Sequence, residues 1–248
     1  MPDHASPEAA EARRTVALAC RLIGHLGLSA DVLGHVSVRT GTDRMLVRCR
    51  GPREAGLLFT TVEDVYTVDL DGQGELGEWA VPNELPIHAE VLRSRADVDA
   101  VVHCHPPAVL TAGIAGVRLE PVFGAYNIPA ARMAVEGVPV YPRSVLIRTP
   151  ELGQAMVTAM GTAPVCVLRG HGVTTVGSGP HAVEQALVRA ANLEALARVN
   201  LSLAQLGTTP TLPAAEDLAG LPDLGGAFND LSVWRNFVAR LEHDGLGL

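Results

Sequence analysis

The order of apolar and polar residues along this 248-residue chain predicts helices that alternate with short strands. Segments with helical periodicity, bounded by capping residues, prolines or glycines, predict helices over residues 7–26, 84–95, 107–114, 149–161, 180–206 and 229–243. Short apolar runs predict strands over residues 35–39, 45–49, 65–70, 98–105, 165–168 and 174–176. Residues 118–140 contain scattered glycines and prolines and predict no regular element. This mixture is typical of a layered α/β domain.

The predicted strand that ends before Pro106 carries two histidines on one face. Successive side chains of a strand point to opposite faces, so His103 and His105 point the same way and Cys104 points the other way. Two imidazoles that converge at a strand end form half of a first-row metal site. Two hydrogen-bonded core histidines would give the same pattern, so this short motif leaves both interpretations open.

Two further residues extend the candidate metal site. His171 follows the predicted strand 165–168, and Gly170 and Gly172 on either side of it allow a tight turn and a close approach of the backbone to a ligand. Glu84 lies at the start of the predicted helix 84–95. We therefore regard His171 as a third candidate ligand and Glu84 as a candidate acidic partner.

Composition limits the kinds of partner. The net charge of −8 and the absence of a basic cluster argue against nucleic acid. The chain has no apolar run of membrane-spanning length and no basic start followed by an apolar run, so we expect no membrane partner and a cytoplasmic location. The four cysteines lie in apolar surroundings without Cys-x-x-Cys spacing, which is typical of buried thiols in a reducing compartment.

All 19 basic residues are arginine. The absence of lysine excludes Schiff-base chemistry, covalent attachment of pyridoxal phosphate and a Walker phosphate loop, because each requires a lysine amine. No Gly-x-Gly-x-x-Gly follows a predicted strand, so a dinucleotide site is unsupported. If the protein stabilises a carbanion, a divalent metal acting as a Lewis acid is the obvious route.

These residues belong to a wider set of motifs that resembles the class II aldolase/adducin family over roughly residues 8–206. The matching segments are Gly34-His35-Val36-Ser37-Val38-Arg39, Asn83-Glu84, His88, Arg95-Ala96-Asp97-Val98, His103-Cys104-His105 and Arg169-Gly170-His171-Gly172. Each segment alone is a weak signal, whereas their combination is specific.

The resemblance implies a fold, a domain organisation and an assembly. The fold is a three-layer α/β/α class II aldolase-like fold with a central, largely antiparallel sheet. Residues 1–207 would form the class II aldolase/adducin-like domain, and residues 208–248 a C-terminal linker and helix packed on the same domain. The family usually forms homotetramers with sites between subunits, so we expect a homo-oligomer.

Carried over position by position, the resemblance makes His103, His105 and His171 the ligands of one divalent metal ion. Three neutral imidazoles accept Zn, Mn, Fe or Co, so the sequence leaves the metal open. Glu84 becomes the catalytic acid/base near the metal.

The chain differs from sugar-phosphate members of the family where they bind phosphate. It has His35 in place of asparagine, a loop containing Arg48 and Arg50 in place of a Ser/Thr-Gly turn, and Pro-Asn in place of Ser-Ser before the catalytic glutamate. Arginine suits bidentate binding of carboxylates. The pattern resembles the decarboxylase branch of the family, which acts on hydroxylated aromatic dicarboxylates such as dihydroxyphthalate.

Five residues are therefore candidates for substrate binding: His35, Arg48, Arg50, His88 and Tyr126. For the two arginines, a solvated strand edge is an equally weighted alternative, because exposed arginine is the norm. His88 matches a helix histidine of the family. Tyr126 lies where aldolases place a tyrosine from a neighbouring subunit, although its local sequence also fits a packing role.

The leading hypothesis is a metal-dependent decarboxylase, a carbon–carbon lyase, for a hydroxylated aromatic carboxylic acid. The metal would serve as electron sink and Glu84 as proton carrier. One alternative is a class II aldolase that cleaves a small non-phosphorylated hydroxy-carbonyl compound. Two others are a non-heme iron oxygenase and a non-catalytic adducin-like interaction module.

Overall fold

The computed structural model describes residues 7–222 and 229–248. The helices in this part of the chain are α1 (Pro7–His25), α2 (Leu85–Ser94), α3 (Pro107–Ala115), α4 (Ile128–Ala134), α5 (Pro150–Met160), α6 (Ala182–Gln205), α7 (Ala215–Gly220) and α8 (Leu231–His243). The strands are β1 (His35–Arg39), β2 (Arg44–Arg48), β3 (Val65–Asp69), β4 (Ala100–Cys104), β5 (Val140–Tyr141), β6 (Val165–Leu168) and β7 (Gly172–Gly177). Among the described helices, none combines the length and apolar character that a membrane span requires.

The strands of the described residues form one sheet in the order β3-β2-β1-β4-β7-β6-β5. Neighbouring strands are antiparallel, except that β5 and β6 run parallel at one edge. The prediction of a central, largely antiparallel sheet is confirmed. Because β4 is paired on both sides, with β1 and β7, its backbone is fixed by hydrogen bonds along its length.

Apolar side chains cover both faces of this sheet and form two cores. Helices α1, α3, α4, α6 and α8 contribute to the core on one face, and α2 and α5 to the core on the other. Strand β4 supplies Val102 and Cys104 to the first core and Val101 to the second, because successive side chains of a strand alternate. The layers are helix, sheet and helix, which confirms the predicted α/β/α fold.

The predicted elements match the structure where the hydrophobic pattern is regular. Strands β1 and β6 have the predicted bounds, and the other predicted elements differ by at most two residues at either end. Residues 118–140, for which no element is predicted, contain α4 and the first residue of β5. Both elements are too short to show a periodic pattern.

The C-terminal segment 208–248 contains α7 and α8. In α8, the buried side chains of Trp234 and Leu241 join the core that α1 and α6 form. The predicted domain limits also include residues 1–6 and 223–228, which lie outside the described residues.

Candidate active site

Segments from three parts of the chain meet beside the end of β4. Glu84 immediately precedes α2, His103 lies in β4 with His105 just after it, and His171 lies in the turn between β6 and β7. One potential ligand atom from each of these four residues lies within 4.8 Å of all the others. The structure thus brings together the three histidines and the carboxylate on which the sequence-based hypothesis depends.

Strand β4 fixes the orientation of His103, which has no exposed surface. Its Nδ1 lies 3.0 Å from the carbonyl oxygen of Val173 in the neighbouring strand β7, and donates its proton there. Burial lowers the pKa of His103, although the carboxylate of Glu84 opposes this effect. In the neutral form that binds a metal, Nε2 carries a lone pair and faces the other candidate ligands.

A glycine allows the other two histidines to approach each other. A Cβ at Gly172 would lie 2.4 Å from the carbonyl oxygen of Cys104 and 2.6 Å from Cδ2 of His105, so no larger residue fits. With glycine there, the start of β7 lies against the end of β4, and the ring centroids of His105 and His171 are 5.1 Å apart. The N–H of His105 donates to Oγ of Ser29 at 2.8 Å, which fixes the chain where β4 ends.

Glu84 is buried, with 7 % of its surface exposed, and each of its carboxylate oxygens has a different environment. Oε1 accepts a hydrogen bond from the N–H of Ile147 at 3.0 Å. Oε2 faces Nε2 of His171 at 3.3 Å and Nε2 of His103 at 3.6 Å. Burial raises the pKa of Glu84, but interactions with these two histidines outweigh burial and hold the pKa well below its usual range. The side chain is therefore an ionised carboxylate.

The four donors fit a divalent cation. Four ligands at about 2.1 Å from a tetrahedral centre lie roughly 3.4 Å from one another. Three of the six separations are near this value: the Nε2 atoms of His103 and His105 are 3.0 Å apart, and Glu84 lies at 3.3 and 3.6 Å from its two histidine neighbours. All six separations are within 4.8 Å. Burial, with a contribution from nearby histidines, lowers the pKa of His105 to about 3, so its ring is neutral and can also act as a ligand. Imidazole and carboxylate donors together suit Zn²⁺ and other first-row divalent metals.

A second pair of histidines lies behind the first group. His35 lies opposite His103 in the pairing of β1 with β4, and their ring centroids are 5.0 Å apart. Nδ1 of His35 is 2.6 Å from Nε2 of His88, and Nδ1 of His88 is 2.6 Å from Oγ of Ser37. Burial, with a contribution from His103, lowers the pKa of His88 to about 3, and burial is also the main cause that lowers the pKa of His35. Both rings are therefore neutral.

Two arginines lie close to these histidines but have different partners. Arg48 is 2 % exposed, and its guanidinium binds the carboxylate of Glu54. Arg50 donates to the carbonyl of Val32 at 3.2 Å, its buried Nε has no partner, and it pairs with no carboxylate among the described residues. Burial and the neighbouring histidines are the largest causes of the lowered pKa of His35. Both arginine cations also lower it, so their charge reaches the site. Because Arg48 is buried, the alternative of a solvated strand edge is excluded for this residue.

Tyr126 is not joined to this group within one chain. It lies in the loop before α4, is 85 % exposed, and packs edge-on against Phe123 with a centroid distance of 5.3 Å. No hydrogen bond or ring contact links it to the four candidate metal ligands in the described part of the chain. Its predicted role in substrate binding therefore requires a second subunit.

Sequence analysis missed several residues that support the site, namely Ser29, Ser37, Glu54, Ile147 and Val173. Ser37 lies two residues after His35 on a strand and so shares its face, which is a signal that the sequence contained. Ile147 and Val173 act through backbone groups, for which the side chain gives no signal.

Comparison with known proteins finds a matching family profile and related proteins. The family profile described as "Class II Aldolase and Adducin N-terminal domain" matches residues 14–201. A 3,4-dihydroxyphthalate decarboxylase of Arthrobacter keyseri is 48 % identical over 237 residues, with 94 % of each chain covered. A protein of the same name from Terrabacter sp. (strain DBF63) is 51 % identical over 233 residues, which cover 92 % of this chain and 96 % of that protein.

A solved structure shows the same fold at low sequence identity. The aldolase II superfamily protein from Pseudomonas syringae superposes with a TM-score of 0.81 at 22 % identity, and the match covers 98 % of this chain and 97 % of the other. The family profile spans most of the chain, and the two relatives are about half identical along nearly its whole length. The chain therefore belongs to the class II aldolase and adducin N-terminal domain family.

Proposed function

We propose that this protein is a metal-dependent decarboxylase that acts on a hydroxylated aromatic carboxylic acid of the dihydroxyphthalate class. One observation carries the proposal: three imidazoles and a buried carboxylate converge beside an arginine that has no carboxylate partner among the described residues. The two relatives that are about half identical to this chain, both named 3,4-dihydroxyphthalate decarboxylase, support the choice of substrate.

His103, His105 and His171 would hold one divalent metal ion, with Zn, Mn, Fe and Co as the candidates. Such an ion supplies a Lewis acid that stabilises negative charge on the ring oxygens of the substrate. The three side chains hold these positions because β4 and the turn between β6 and β7 are fixed in the sheet.

Glu84 is the proton carrier of the proposed reaction. Its Oε2, which faces His103 and His171, accepts a proton from a phenolic hydroxyl as the substrate binds. When the bond between the ring and the leaving carboxylate breaks, CO2 departs and the electron pair stays on the ring carbon. Oε2 then gives its proton to that carbon, so that one carboxylate is replaced by one hydrogen, and the phenolate oxygen takes up a proton from water as the product leaves. The N–H of Ile147 holds Oε1 throughout and keeps Oε2 directed at the site.

Arg50 binds the carboxylate that stays on the ring. A guanidinium without a carboxylate partner can form a paired hydrogen bond with an incoming carboxylate. Arg48 adds positive charge but is already bound by Glu54, so its part in substrate binding is to hold the neighbouring segment. His35 and His88 line the side of the site behind His103.

The chain acts as a homotetramer in this proposal, and Tyr126 completes the site of a neighbouring subunit. Its 85 % exposure in the single chain leaves it available for this role. In this proposal the catalytic domain is residues 1–207 and the C-terminal segment is residues 208–248, of which the described helix α8 packs on the domain. The four cysteines are all buried and free, which supports the expected cytoplasmic location.

The test is release of CO2 by the purified protein after it has been loaded in turn with Zn²⁺, Mn²⁺, Fe²⁺ and Co²⁺. The substrate panel contains 3,4-dihydroxyphthalate, dihydroxybenzoates and hydroxypyridine dicarboxylates. We expect CO2 from the dihydroxyphthalate and slower release from substrates without a second carboxylate. An aldehyde product from hydroxy-carbonyl compounds, with no CO2 from any acid, would show an aldolase instead. Oxygen consumption on substrate addition would show an oxygenase.

A further inference from the structure

Ser37, His88 and His35 form a buried chain of hydrogen bonds that the proposed reaction does not use. Ser37 and His35 lie two residues apart on β1 and share a face, and His88 projects from α2 between them. The contacts from Ser37 to His88 and from His88 to His35 are both 2.6 Å. Ser37 and His88 have no exposed surface. This series of hydrogen bonds ends at His35, whose ring lies against the candidate metal ligand His103.

Only two arrangements of protons are compatible with this chain, because each neutral imidazole has one N–H. In the first, the hydroxyl of Ser37 donates to Nδ1 of His88, and Nε2–H of His88 donates to Nδ1 of His35. Nε2 of His35 then carries a proton. In the second, every donor is reversed, and Nε2 of His35 presents a lone pair.

The hydroxyl of Ser37 decides between the two arrangements. It makes no other hydrogen bond in the described residues, so the second arrangement would leave its proton unpaired inside the protein. An unpaired donor is unfavourable inside the protein, and Ser37 has no exposed surface. In the first arrangement the one donor without a protein partner is Nε2–H of His35, at the end of the hydrogen bonds that faces the site. The first arrangement is therefore the stable one.

The hydrogen-bonded series ends at Nε2 of His35, on the side of the site. Nε2 of His35 makes no hydrogen bond within residues 7–222 and 229–248, and it is not sealed from solvent. His35 lies on the same face of the sheet as His103, since the two residues are directly paired. It is not one of the four residues whose donor atoms converge, so its nitrogen is not needed for the metal.

We propose that Ser37 and His88 are positioning residues that lock His35 in the Nε2–H tautomer, so that His35 presents a fixed hydrogen-bond donor to an anionic oxygen of the aromatic substrate. The identity of that oxygen rests on the proposed function, whereas the tautomer does not. A preset donor avoids the cost of turning or reprotonating the ring when the substrate binds.

The tautomer is tested by long-range ¹H–¹⁵N NMR correlation on the full-length protein, both metal-free and loaded with Zn²⁺. The signals of His35 are identified by their absence in His35→Gln. We expect a protonated Nε2 and an unprotonated Nδ1 in the native protein in both states. A proton on Nδ1 of His35 in the native protein would overturn the proposal, and this result needs no variant.

Two variants of Ser37 test the positioning role. Ser37→Ala removes the hydroxyl and is expected to give a mixture of His35 tautomers and a KM about tenfold higher, while kcat changes much less and metal content stays the same. Ser37→Thr keeps a hydroxyl and should restore both the single tautomer and the KM. Thr175→Val removes another buried hydroxyl of the sheet, which is bound to the carbonyl of Ala186 at 2.7 Å, and should leave the tautomer of His35 unchanged.

An unchanged tautomer and KM in Ser37→Ala would contradict the role of Ser37. If Ser37→Ala does not fold, His88→Gln replaces it, because His88 links Ser37 to His35 in the same series of hydrogen bonds. The tautomer of His35 and the KM are then measured in His88→Gln, and unchanged values would contradict the positioning role. If the native protein releases no CO2, the proposed function fails, but the NMR result still decides whether His35 is held as a donor.

Discussion

At the scale of single residues, the site depends on which polar groups are already satisfied by the protein and which are left for ligands. His103 uses Nδ1 on the carbonyl of Val173 and directs Nε2 toward the other candidate ligands. Glu84 uses Oε1 on the N–H of Ile147 and directs Oε2 toward His103 and His171. Arg48 is bound by Glu54, whereas Arg50 pairs with no carboxylate among the described residues. The atoms that face the site define its chemistry, and a substitution can test the role of each.

Replacing His103 with alanine is expected to abolish both metal binding and CO2 release. The residue is fully buried and is one of the four donors, so the remaining two histidines and Glu84 would hold a divalent ion too weakly to retain it during purification. Elemental analysis of the purified protein gives the metal content. His243→Ala, at the end of α8, is the control and should keep the metal. Full metal content in His103→Ala would remove this residue from the ligand set.

Glu84→Gln should separate metal binding from proton transfer. An amide keeps the size of the side chain and can still accept from Ile147, but it cannot carry a proton at neutral pH. We expect bound metal close to the native level and a kcat lowered by about 10²–10⁴. Glu90→Gln, a buried glutamate of α2 that is paired with Arg93, is the matched control. Near-native turnover in Glu84→Gln would exclude Glu84 as the proton carrier.

The two arginines are expected to respond differently to the same substitution. Arg50→Gln should raise KM about tenfold or more through loss of a charge-assisted bond to the substrate carboxylate, with little change in stability. Arg48→Gln should instead lower the free energy of unfolding by about 3 kcal/mol, because it leaves Glu54 as an unpaired, nearly buried charge. Steady-state kinetics and urea unfolding measure the two effects, with the exposed Arg53→Gln as control. Equal effects of both substitutions on KM would contradict this division.

At the scale of elements, the sequence predicts well what a periodic pattern encodes and misses what depends on contacts far apart in the chain. The strand pattern around His103 and the glycines around His171 are enough to identify the candidate metal ligands. The elements α4 and β5 escape prediction because they contain seven and two residues. The partners of Glu84 and His103 are backbone groups of distant segments, and a sequence pattern does not identify them.

A buried glutamate of α6 illustrates such a distant contact. Glu194 is 4 % exposed and accepts hydrogen bonds from the N–H groups of Ala108 and Val109, at 2.9 and 3.1 Å, at the start of α3. A carboxylate at a helix N-terminus satisfies donors that the helix leaves unpaired and interacts favourably with the helix dipole. Because α3 begins two residues after His105, this cap also anchors the chain next to the metal site.

Glu194→Ala is therefore expected to lower the free energy of unfolding by about 2 kcal/mol, through two buried N–H groups that lose their acceptor. Urea unfolding followed by circular dichroism provides the measurement. Glu11→Ala, an exposed glutamate of α1, should change stability by less than about 0.5 kcal/mol. A loss of stability in Glu194→Ala no larger than in this control would show that the cap does not contribute.

At the scale of the whole molecule, one chain positions the metal ligands but leaves Tyr126 away from them. The sheet and its two cores hold Glu84, His103, His105 and His171 together without help from a second copy. Tyr126, by contrast, is 85 % exposed and has only Phe123 as a ring partner in the described residues. Sequence resemblance predicts a tetramer with sites between subunits, and intrachain periodicity carries no information about such an assembly. The assembly is therefore tested by combining residues from different subunits.

Mixing two inactive variants tests whether neighbouring subunits share a site. Glu84→Gln and Tyr126→Phe subunits should each have low activity alone. If each site takes Glu84 from one subunit and Tyr126 from its neighbour, random tetramers from an equal mixture contain both native residues in about a quarter of their sites, and about a quarter of the native activity returns. If both residues served the same subunit's site, no mixed tetramer would have a complete site. Mixing Glu84→Gln with His103→Ala is the control, because these residues lie in one chain and no complete site can form.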